Sequence, residues 1–314
     1  MGTPEFAVAS LDALVKAGCN IVGVITAPDK PAGRGMKMNE SAVKKYAVEH
    51  NLKILQPEKL KNPGFLEELK SLHADLQIVV AFRMLPEVVW NMPPMGTVNL
   101  HGSLLPQYRG AAPINWAVIN GEKETGVTTF KLKHEIDTGD ILLQESFSIG
   151  ENETAGEVHD KMKVIGARVL VETVKGLADG TIKKSPQLAV GSWQKESLST
   201  LNSQLSTLKH APKIFTEACQ IDFSKTVDEV HNLIRGLSPF PGAFTTMDGK
   251  MLKIYRSKKE ASPNPSKGGG YESDGKTFLK FPCTDGFIHV LEMQLEGKKK
   301  MNIEDFLRGY RAKS

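Results

Sequence analysis

Apolar side chains recur along the first two thirds of the chain with two alternating periods. Residues 6–16 carry them at helical spacing up to Gly18, and residues 20–26 form an apolar run that is typical of a buried strand. Asn39 is placed to cap a helix that extends to Glu49. Further strands are predicted at 77–81 and 97–101, and a long helix at 154–177. This alternation predicts an α/β fold: a doubly wound, mostly parallel sheet with helices on both faces.

The last third of the chain has a different pattern. Residues 183–212 are rich in Ser, Thr, Lys and Gln and show little periodicity, which predicts a linker. Beyond them a helix is predicted at 227–235 and short strands at 243–247, 251–255, 277–281 and 287–291. Several short strands separated by turn residues indicate a small β-barrel. We therefore expect a first domain over residues 1–182, a linker over 183–212 and a second domain over 213–314.

Candidate chemistry lies at the end of the strand predicted at residues 97–101. Asn99 and His101 share one face of that strand, at the edge where open α/β sheets bind ligands. Asp137, in the run Asp-Thr-Gly-Asp, is the third candidate. Two of the three also have a structural explanation: His101 as a satisfied polar group, and Asp137 as part of an ordinary turn. A buried strand Asn is harder to explain in this way, because its amide needs partners. The three residues together favour a reaction centre.

These three residue types suit acyl transfer to an amine. An amide can donate a hydrogen bond to a developing oxyanion, an imidazole can donate or relay a proton, and a carboxylate can orient the imidazole. The chain has no Gly-x-Ser-x-Gly elbow and no cysteine in a catalytic setting. Direct transfer from an activated acyl donor is therefore favoured over an acyl-enzyme.

The motifs around these residues resemble the signature of the folate-dependent formyltransferases. The resemblance is carried by residues 99–114, which begin Asn-Leu-His-Gly-Ser-Leu-Leu-Pro, and by 125–128 and 136–141; it continues in 2–7, the loop 28–35 and 297–301. The His-x-Ser-Leu-Leu-Pro core marks only the superfamily, which includes sugar and glycinamide-ribonucleotide formyltransferases. The Pro-Ala-Gly-Arg-Gly loop, the Gly-Ala-Ala-Pro-Ile continuation and the C-terminal segment narrow the resemblance to members that act on methionyl initiator tRNA.

The resemblance implies roles for named residues. Asn99, His101 and Asp137 would be the catalytic residues, with 10-formyltetrahydrofolate as the formyl donor, no metal, and an OB-like second domain. The implied folate site comprises Ser103, Leu104, Leu105, Pro106, Phe82, Arg83, Met84 and Leu85. The implied tRNA contacts are Arg34, Lys30, Lys37, Lys298, Lys299 and Lys300. The alternative enzyme is a sugar-nucleotide or glycinamide-ribonucleotide formyltransferase. A third hypothesis is a nucleic-acid-binding protein that keeps an inactive formyltransferase domain.

Composition restricts the possible number of domains and the possible kinds of site. With 314 residues, 40% of them hydrophobic, the chain is long enough for two domains that each bury a core. Cys19, Cys219 and Cys283 are far apart and the eight histidines show no ligand spacing, so neither a disulfide framework nor a zinc site is predicted. No stretch approaches the roughly 20 apolar residues of a membrane span, and the start shows no signal-peptide pattern. We expect a cytoplasmic monomer.

The net charge of +4 is unevenly distributed. Residues 213–314 contain 17 Lys and Arg against 13 Asp and Glu, whereas residues 1–212 contain 23 of each. A modest excess is compatible with a solvated surface, but clusters such as Lys258-Lys259 and Lys298-Lys299-Lys300 favour a polyanion partner. Few aromatic residues are interleaved with them, so contact with a phosphate backbone is expected rather than base readout.

The start of the chain carries one further expectation. The formyltransferases that it resembles have a central β-strand immediately before Gly-Thr-Pro, whereas only Met1 precedes Gly2 here. A parallel sheet without that strand would leave backbone groups unpaired, each at a cost of about 1–3 kcal/mol. We therefore expect the true start to lie upstream, with Met1 an internal methionine.

Overall fold

The computed structural model describes residues 1–32, 37–187, 208–262 and 270–310. Arg34, the side chain of Lys37 and most of the predicted linker lie outside this part. The chain divides into two compact units. The first consists of Met1–Arg109, Gly126–Ser146 and Asp160–Lys209, and the second of Gly110–Thr125, Phe147–His159 and His210–Ser314. The domain boundaries expected from the sequence stay a prediction.

Helices and short strands alternate as far as residue 178, and longer strands dominate after residue 243. The helices are α1 (Glu5–Lys16), α2 (Ala42–Glu49), α3 (Pro63–Ser71), α4 (Glu87–Trp90), α5 (Pro113–Ile119), α6 (Ala155–Ala178), α7 (Val227–Gly236) and α8 (Ile303–Gly309). The strands are β1 (Val24–Ile25), β2 (Lys30–Ala32), β3 (Lys37–Asn39), β4 (Ile54–Leu55), β5 (Gln77–Val80), β6 (Thr97–His101), β7 (Arg109–Gly110), β8 (Glu124–Lys131), β9 (Ile141–Ser148), β10 (His210–Ala211), β11 (Ala243–Met247), β12 (Lys250–Ala261), β13 (Glu272–Ser273), β14 (Leu279–Pro282), β15 (Gly286–Leu295) and β16 (Met301–Asn302). The predicted order, an α/β domain followed by a small β domain, is confirmed.

The helix predicted after Asn39 has a different cap. Ser41 is the N-cap of α2, because its side chain accepts a hydrogen bond from the Lys44 backbone N–H at 3.0 Å. Asn39 instead ends β3, where it pairs with Lys30 of β2. The assignment of Asn39 as the cap is therefore wrong, and Lys30–Ala32 is a short strand rather than part of a loop.

The sheet of the first unit has the order β5-β6-β8-β9. β5 and β6 are parallel, with Val79 opposite Asn99, and β8 lies antiparallel to β6, with Phe130 opposite Asn99. β6 therefore has a hydrogen-bonded strand on each side, which fixes the direction of its side chains. β1 and β4 form a separate parallel pair.

Met1 and Gly2 lie between β1 and β5. The Gly2 N–H donates to the Ile25 carbonyl at 3.1 Å, and the Val80 N–H donates to the Met1 carbonyl at 2.9 Å. Beside them is a cavity of about 140 Å3 lined by residues of α1, β1 and β5, and burial lowers the pKa of the Met1 amine to about 5. β1 is shorter than the predicted strand 20–26, since residues 20–23 have no paired strand within the described ranges. An upstream strand stays a prediction.

The second unit contains an antiparallel sheet with the order β11-β12-β15-β14-β13, and β16 pairs with β15. α7 covers this sheet with a buried face that includes Val230 and Ile234. A capping box starts the helix: the Thr226 side chain accepts from the Glu229 N–H, and the Glu229 carboxylate accepts from the Thr226 N–H. Among the described residues, no helix is long and apolar enough to cross a membrane.

A buried histidine on α7 is expected to make the stability of the second unit depend on pH. His231 is 2% exposed and Nδ1 lies 2.9 Å from the Ser257 hydroxyl; burial, then the charges of Arg235 and Lys259, lower its pKa below 6.5. The unfolded chain therefore binds this proton more readily than the folded chain. The free energy of unfolding should decrease as pH falls from about 7.5 through 6.5 toward the folded-state pKa.

Urea unfolding of wild type and His231→Asn between pH 7.5 and 5.5 measures this dependence. The variant should be less stable at pH 7.5 but should lose less stability on acidification. His50→Gln, at an exposed position after α2, is the control and should keep the wild-type slope. Equal slopes for wild type and His231→Asn would contradict the assignment.

Candidate active site

β6 presents the candidate residues on one face. Val98 and Leu100 are buried on the opposite face, whereas Asn99 is half-buried and His101 is 6% exposed. Because successive side chains of a strand point to opposite faces, the same alternation that buries the two apolar residues places Asn99 and His101 together. The predicted placement of Asn99 and His101 is confirmed.

The loop after β6 is held against β8 and β9. The Thr128 hydroxyl donates to the Ser103 carbonyl at 2.7 Å and accepts from the Leu105 N–H at 3.1 Å. The Gln144 side-chain amide donates to the Leu105 carbonyl at 2.9 Å. These bonds satisfy a buried loop backbone, so the loop has a defined course beside His101.

His101 is fixed through its two ring nitrogens. Nε2 lies 2.9 Å from the Tyr108 carbonyl oxygen, and because a carbonyl only accepts, Nε2 carries a hydrogen. Nδ1 lies 3.8 Å from Oδ2 of Asp137, and both side chains are about nine-tenths buried. The carboxylate therefore acts on the imidazole by charge, while the Tyr108 carbonyl orients the ring by a direct hydrogen bond.

Asp137 begins a tight loop that packs on the end of β8. Its backbone has a φ of 54°, a left-handed conformation that Asp tolerates better than most residues. The Lys131 N–H donates to the Asp140 carbonyl at 3.0 Å. At Gly139 an added Cβ would lie 1.5 Å from the Lys131 carbonyl oxygen, so this loop position has room only for glycine.

Arg109 and Gln187 also lie at this site. Arg109 belongs to the motif of residues 99–114 but was given no role there, and Gln187 was not marked by the sequence. Arg109 Nη2 donates to Gln187 Oε1 at 2.7 Å, and Gln187 Nε2 donates to the Gly139 carbonyl at 2.8 Å. Burial lowers the pKa of Arg109, whereas the negative charges of Asp137 and Glu135 oppose that shift. Gln187 lies in the segment predicted as a linker, and no periodicity or motif marked it.

The predicted folate-site residues differ in exposure. Ser103 and Leu105 are buried, and the Ser103 hydroxyl donates to the Gln107 carbonyl at 2.6 Å. Leu104 and Pro106 are half-buried, as is Phe82, while Leu85 is buried in the core. Met84 is 74% exposed, and Arg83 donates to the Glu58 carbonyl at 2.8 Å and lies 5.7 Å from the Phe82 ring. Those assignments stay predictions.

The predicted tRNA contacts are only partly within the described residues. Lys30 is exposed on β2, and Lys298, Lys299 and Lys300 are exposed between β15 and β16. Lys300 is paired with Glu292 at 2.7 Å, so Lys298 and Lys299 carry more of the uncompensated charge there. Lys259, in another predicted basic cluster, is paired with Asp228 at 2.7 Å.

The donor set at the site does not suggest a metal or a nucleophilic thiol. In the described ranges, no three His, Cys, Asp or Glu side chains group as metal ligands. Cys219 and Cys283 are buried in the second unit, and burial raises the pKa of Cys283 to about 12. What the arrangement offers is an amide, an imidazole and a carboxylate, the set expected for direct acyl transfer.

Comparison with known proteins shows that the chain belongs to the formyl transferase family. Residues 1–174 match the family described as formyl transferase, and residues 213–311 match the formyl transferase C-terminal domain. A methionyl-tRNA formyltransferase of Bacteroides fragilis is 50% identical over 315 residues, covering 99% of this chain and 94% of that protein. One of Phocaeicola vulgatus is 54% identical over 317 residues, with the same coverage.

Solved structures share the fold at lower identity. A sugar 3N-formyl transferase crystallised with dTDP and 5-N-formyl-THF superposes with a TM-score of 0.65 and 21% identity, covering 95% of this chain and 97% of that chain. An N-formyltransferase from Helicobacter canadensis, in complex with folinic acid and dTDP-3-aminofucose, also has a TM-score of 0.65 and 21% identity, covering 96% and 97%. These similarities establish the fold alone.

Proposed function

Since the chain belongs to the formyl transferase family, and within it to the methionyl-tRNA formyltransferases, we propose that it transfers a formyl group from 10-formyltetrahydrofolate to the α-amino group of methionyl initiator tRNA, for translation initiation. The observation that supports this most is the His101–Asp137 pair, 3.8 Å apart, at the end of a strand that also carries Asn99. The proposal assigns catalysis to residues 1–182, a linker to 183–212 and tRNA binding to 213–314, in a cytoplasmic monomer.

In the proposed reaction the methionine amine attacks the formyl carbon. A new C–N bond forms, the formyl oxygen becomes an oxyanion, and the bond to N10 of the folate then breaks. The half-buried Asn99 amide donates to the oxyanion. The Nε2 hydrogen of His101 is held by the Tyr108 carbonyl, so His101 stabilises the oxyanion by the positive charge that its ring carries once Nδ1 has taken up a proton. Preorganised groups of this kind stabilise the transition state by several kcal/mol.

The attacking amine must lose a proton and the leaving N10 must gain one. His101 Nδ1 faces the Asp137 carboxylate, so a proton taken up on this side of the ring is stabilised by the negative charge. The Tyr108 carbonyl holds Nε2 and prevents the ring from turning. Asp137 thus orients the imidazole electrostatically and helps the proton pass to N10.

The proposed folate pocket uses the loop after β6 and the segment after β5. Its partly exposed members, Leu104, Pro106 and Phe82, supply apolar contact, whereas the buried Ser103 and Leu105 shape the loop from within. The faces of the folate ring system are largely apolar and its edges are polar, so these apolar side chains can pack against the ring faces.

The exposed lysines between β15 and β16 provide a test of tRNA binding. Replacing Lys298 and Lys299 with Glu is expected to raise KM for methionyl-tRNA about 10-fold at low salt, because two phosphate contacts are lost, with kcat unchanged. The slope of log KM against log salt should fall by about 2. Replacing Lys45 and Lys70, which are exposed on α2 and α3, is the matched control. Equal effects of both pairs would show that only net charge matters.

Acceptor specificity separates the proposal from its alternative. Purified protein with 10-formyltetrahydrofolate is offered methionyl initiator tRNA, an amino-sugar nucleotide and glycinamide ribonucleotide in parallel. The proposal expects formylation of the tRNA at a kcat/KM at least about 100-fold above the other two. Preferential formylation of a small amine would favour the sugar or ribonucleotide alternative.

A further inference from the structure

A closed ring of contacts surrounds the His101–Asp137 pair. His101 bonds the Tyr108 carbonyl through Nε2, and the next residue, Arg109, donates to Gln187 at 2.7 Å. Gln187 in turn donates to the Gly139 carbonyl at 2.8 Å, two residues from Asp137. The ring therefore begins at one reacting side chain and returns to the other.

Gln187 is well suited to join these two loops. Its side chain is 7% exposed and uses both ends, accepting from Arg109 and donating to a backbone carbonyl. The neighbouring chain is anchored as well, since Ser185 and Ile141 exchange backbone hydrogen bonds at 2.8 and 2.9 Å. A buried amide with two satisfied bonds allows little change in the separation of its partners.

Arg109 adds charge to this ring. Its guanidinium lies close enough to Asp137 and Glu135 for their charges to act on it. Its Nε is buried and has no hydrogen-bond partner within the described residues, so Gln187 is its main fixed contact. Loss of Gln187 would free both the guanidinium and the Gly139 backbone.

We propose that Gln187, acting through Arg109 and Gly139, is a positioning residue that sets the distance between His101 and Asp137. This inference rests on the proposed function, because it concerns the spacing of the residues assigned to formyl transfer. The effect is on geometry: a displacement of about 1 Å in a reacting group can lower a rate by about 100-fold.

The test is the formylation of methionyl-tRNA by Gln187→Leu and Gln187→Glu. Leu removes both hydrogen bonds of the Gln187 side chain. We expect kcat to fall about 10- to 100-fold, with KM for tRNA and folate unchanged. Glu keeps the acceptor for Arg109 but sets a carboxylate against the Gly139 carbonyl, so a smaller fall in kcat is expected. Because Glu preserves one contact and the side-chain volume, it also serves if the Leu variant folds poorly.

Gln77→Leu is the matched control. Gln77 has the same 7% exposure in the same unit, but it lies at the start of β5, where it accepts from the Thr97 hydroxyl at 3.4 Å. Removing this buried amide should change stability without changing kcat. A similar loss of kcat in both variants would overturn the positioning role.

A double-variant cycle distinguishes positioning from a general structural effect. In the Asp137→Asn background residue 137 carries no charge, so its distance from His101 no longer controls the electrostatic interaction. Gln187→Leu should then lower kcat by less than about 2-fold further. An undiminished effect in that background would overturn the proposal, as would a rise in KM alone or a wild-type kcat in Gln187→Leu.

The His101 side-chain NMR signals give a readout that needs no turnover. They should shift in Gln187→Leu and stay unchanged in Gln77→Leu; unchanged signals in both would overturn the proposal. If wild type fails to formylate tRNA while these signals shift as expected, the proposed function fails and the positioning role of Gln187 stands.

Discussion

His101→Ala is expected to lower kcat at least about 100-fold, with little change in KM for methionyl-tRNA. The variant loses the proton acceptor that faces Asp137 at 3.8 Å and, with it, the positive charge that stabilises the oxyanion, both of which act in the transition state. tRNA affinity should persist, because His101 is not among the residues assigned to tRNA contact. Steady-state formylation kinetics with varied tRNA measure both quantities.

His50→Ala is the control for this variant. His50 is exposed after α2 and takes no part in the site, so its replacement should leave kcat and KM unchanged. A His101→Ala protein with near-normal kcat would remove His101 from the mechanism. A large rise in KM with kcat retained would assign it to substrate binding instead.

Gly139→Ala is expected to affect both stability and activity. The new Cβ would lie 1.5 Å from the Lys131 carbonyl oxygen and 2.7 Å from its carbon, both backbone atoms, so the loop itself must move. Overpacking of this kind costs about 1–3 kcal/mol of unfolding free energy. Because the same loop carries Asp137 and is bonded by Gln187, kcat should fall about 100-fold or more.

Urea unfolding and formylation assays on the same preparation check both parts. Gly64→Ala in α3 is the matched control: its added Cβ meets only the Asn62 side chain at 3.4 Å, and Ala favours a helix. That control should match or exceed wild-type stability at normal kcat. Full activity in Gly139→Ala would show that the position of the Asp137 loop is not critical.

Much of the fold follows from local pattern. α1 and β6 lie close to where the sequence pattern predicts them, since α1 buries one face and ends just before Gly18, and β6 is an alternating segment that ends just before Gly102. β12 was predicted over 251–255 but spans Lys250–Ala261, because its polar second half is a strand only through pairing with β15. Pairing of distant strands leaves little trace in a local window.

The site was predictable to the extent that side chains carry its chemistry. Asn99, His101 and Asp137 were identified from residue type and motif, and the structure brings His101 and Asp137 together. The Tyr108 carbonyl that orients His101 is a backbone group, which any residue would supply, so no sequence signal marks it. Gln187 lies 48 residues from the carbonyl that it bonds, in a polar stretch without period.

The most direct test of the central claim is the initial rate of formylation of methionyl initiator tRNA by purified wild type and His101→Ala, with and without 10-formyltetrahydrofolate. The account predicts formyl-methionyl-tRNA only when the donor is present, at a rate at least about 100-fold lower in the variant. Absence of formyl-methionyl-tRNA with wild type under these conditions, or equal rates for the two proteins, would contradict it.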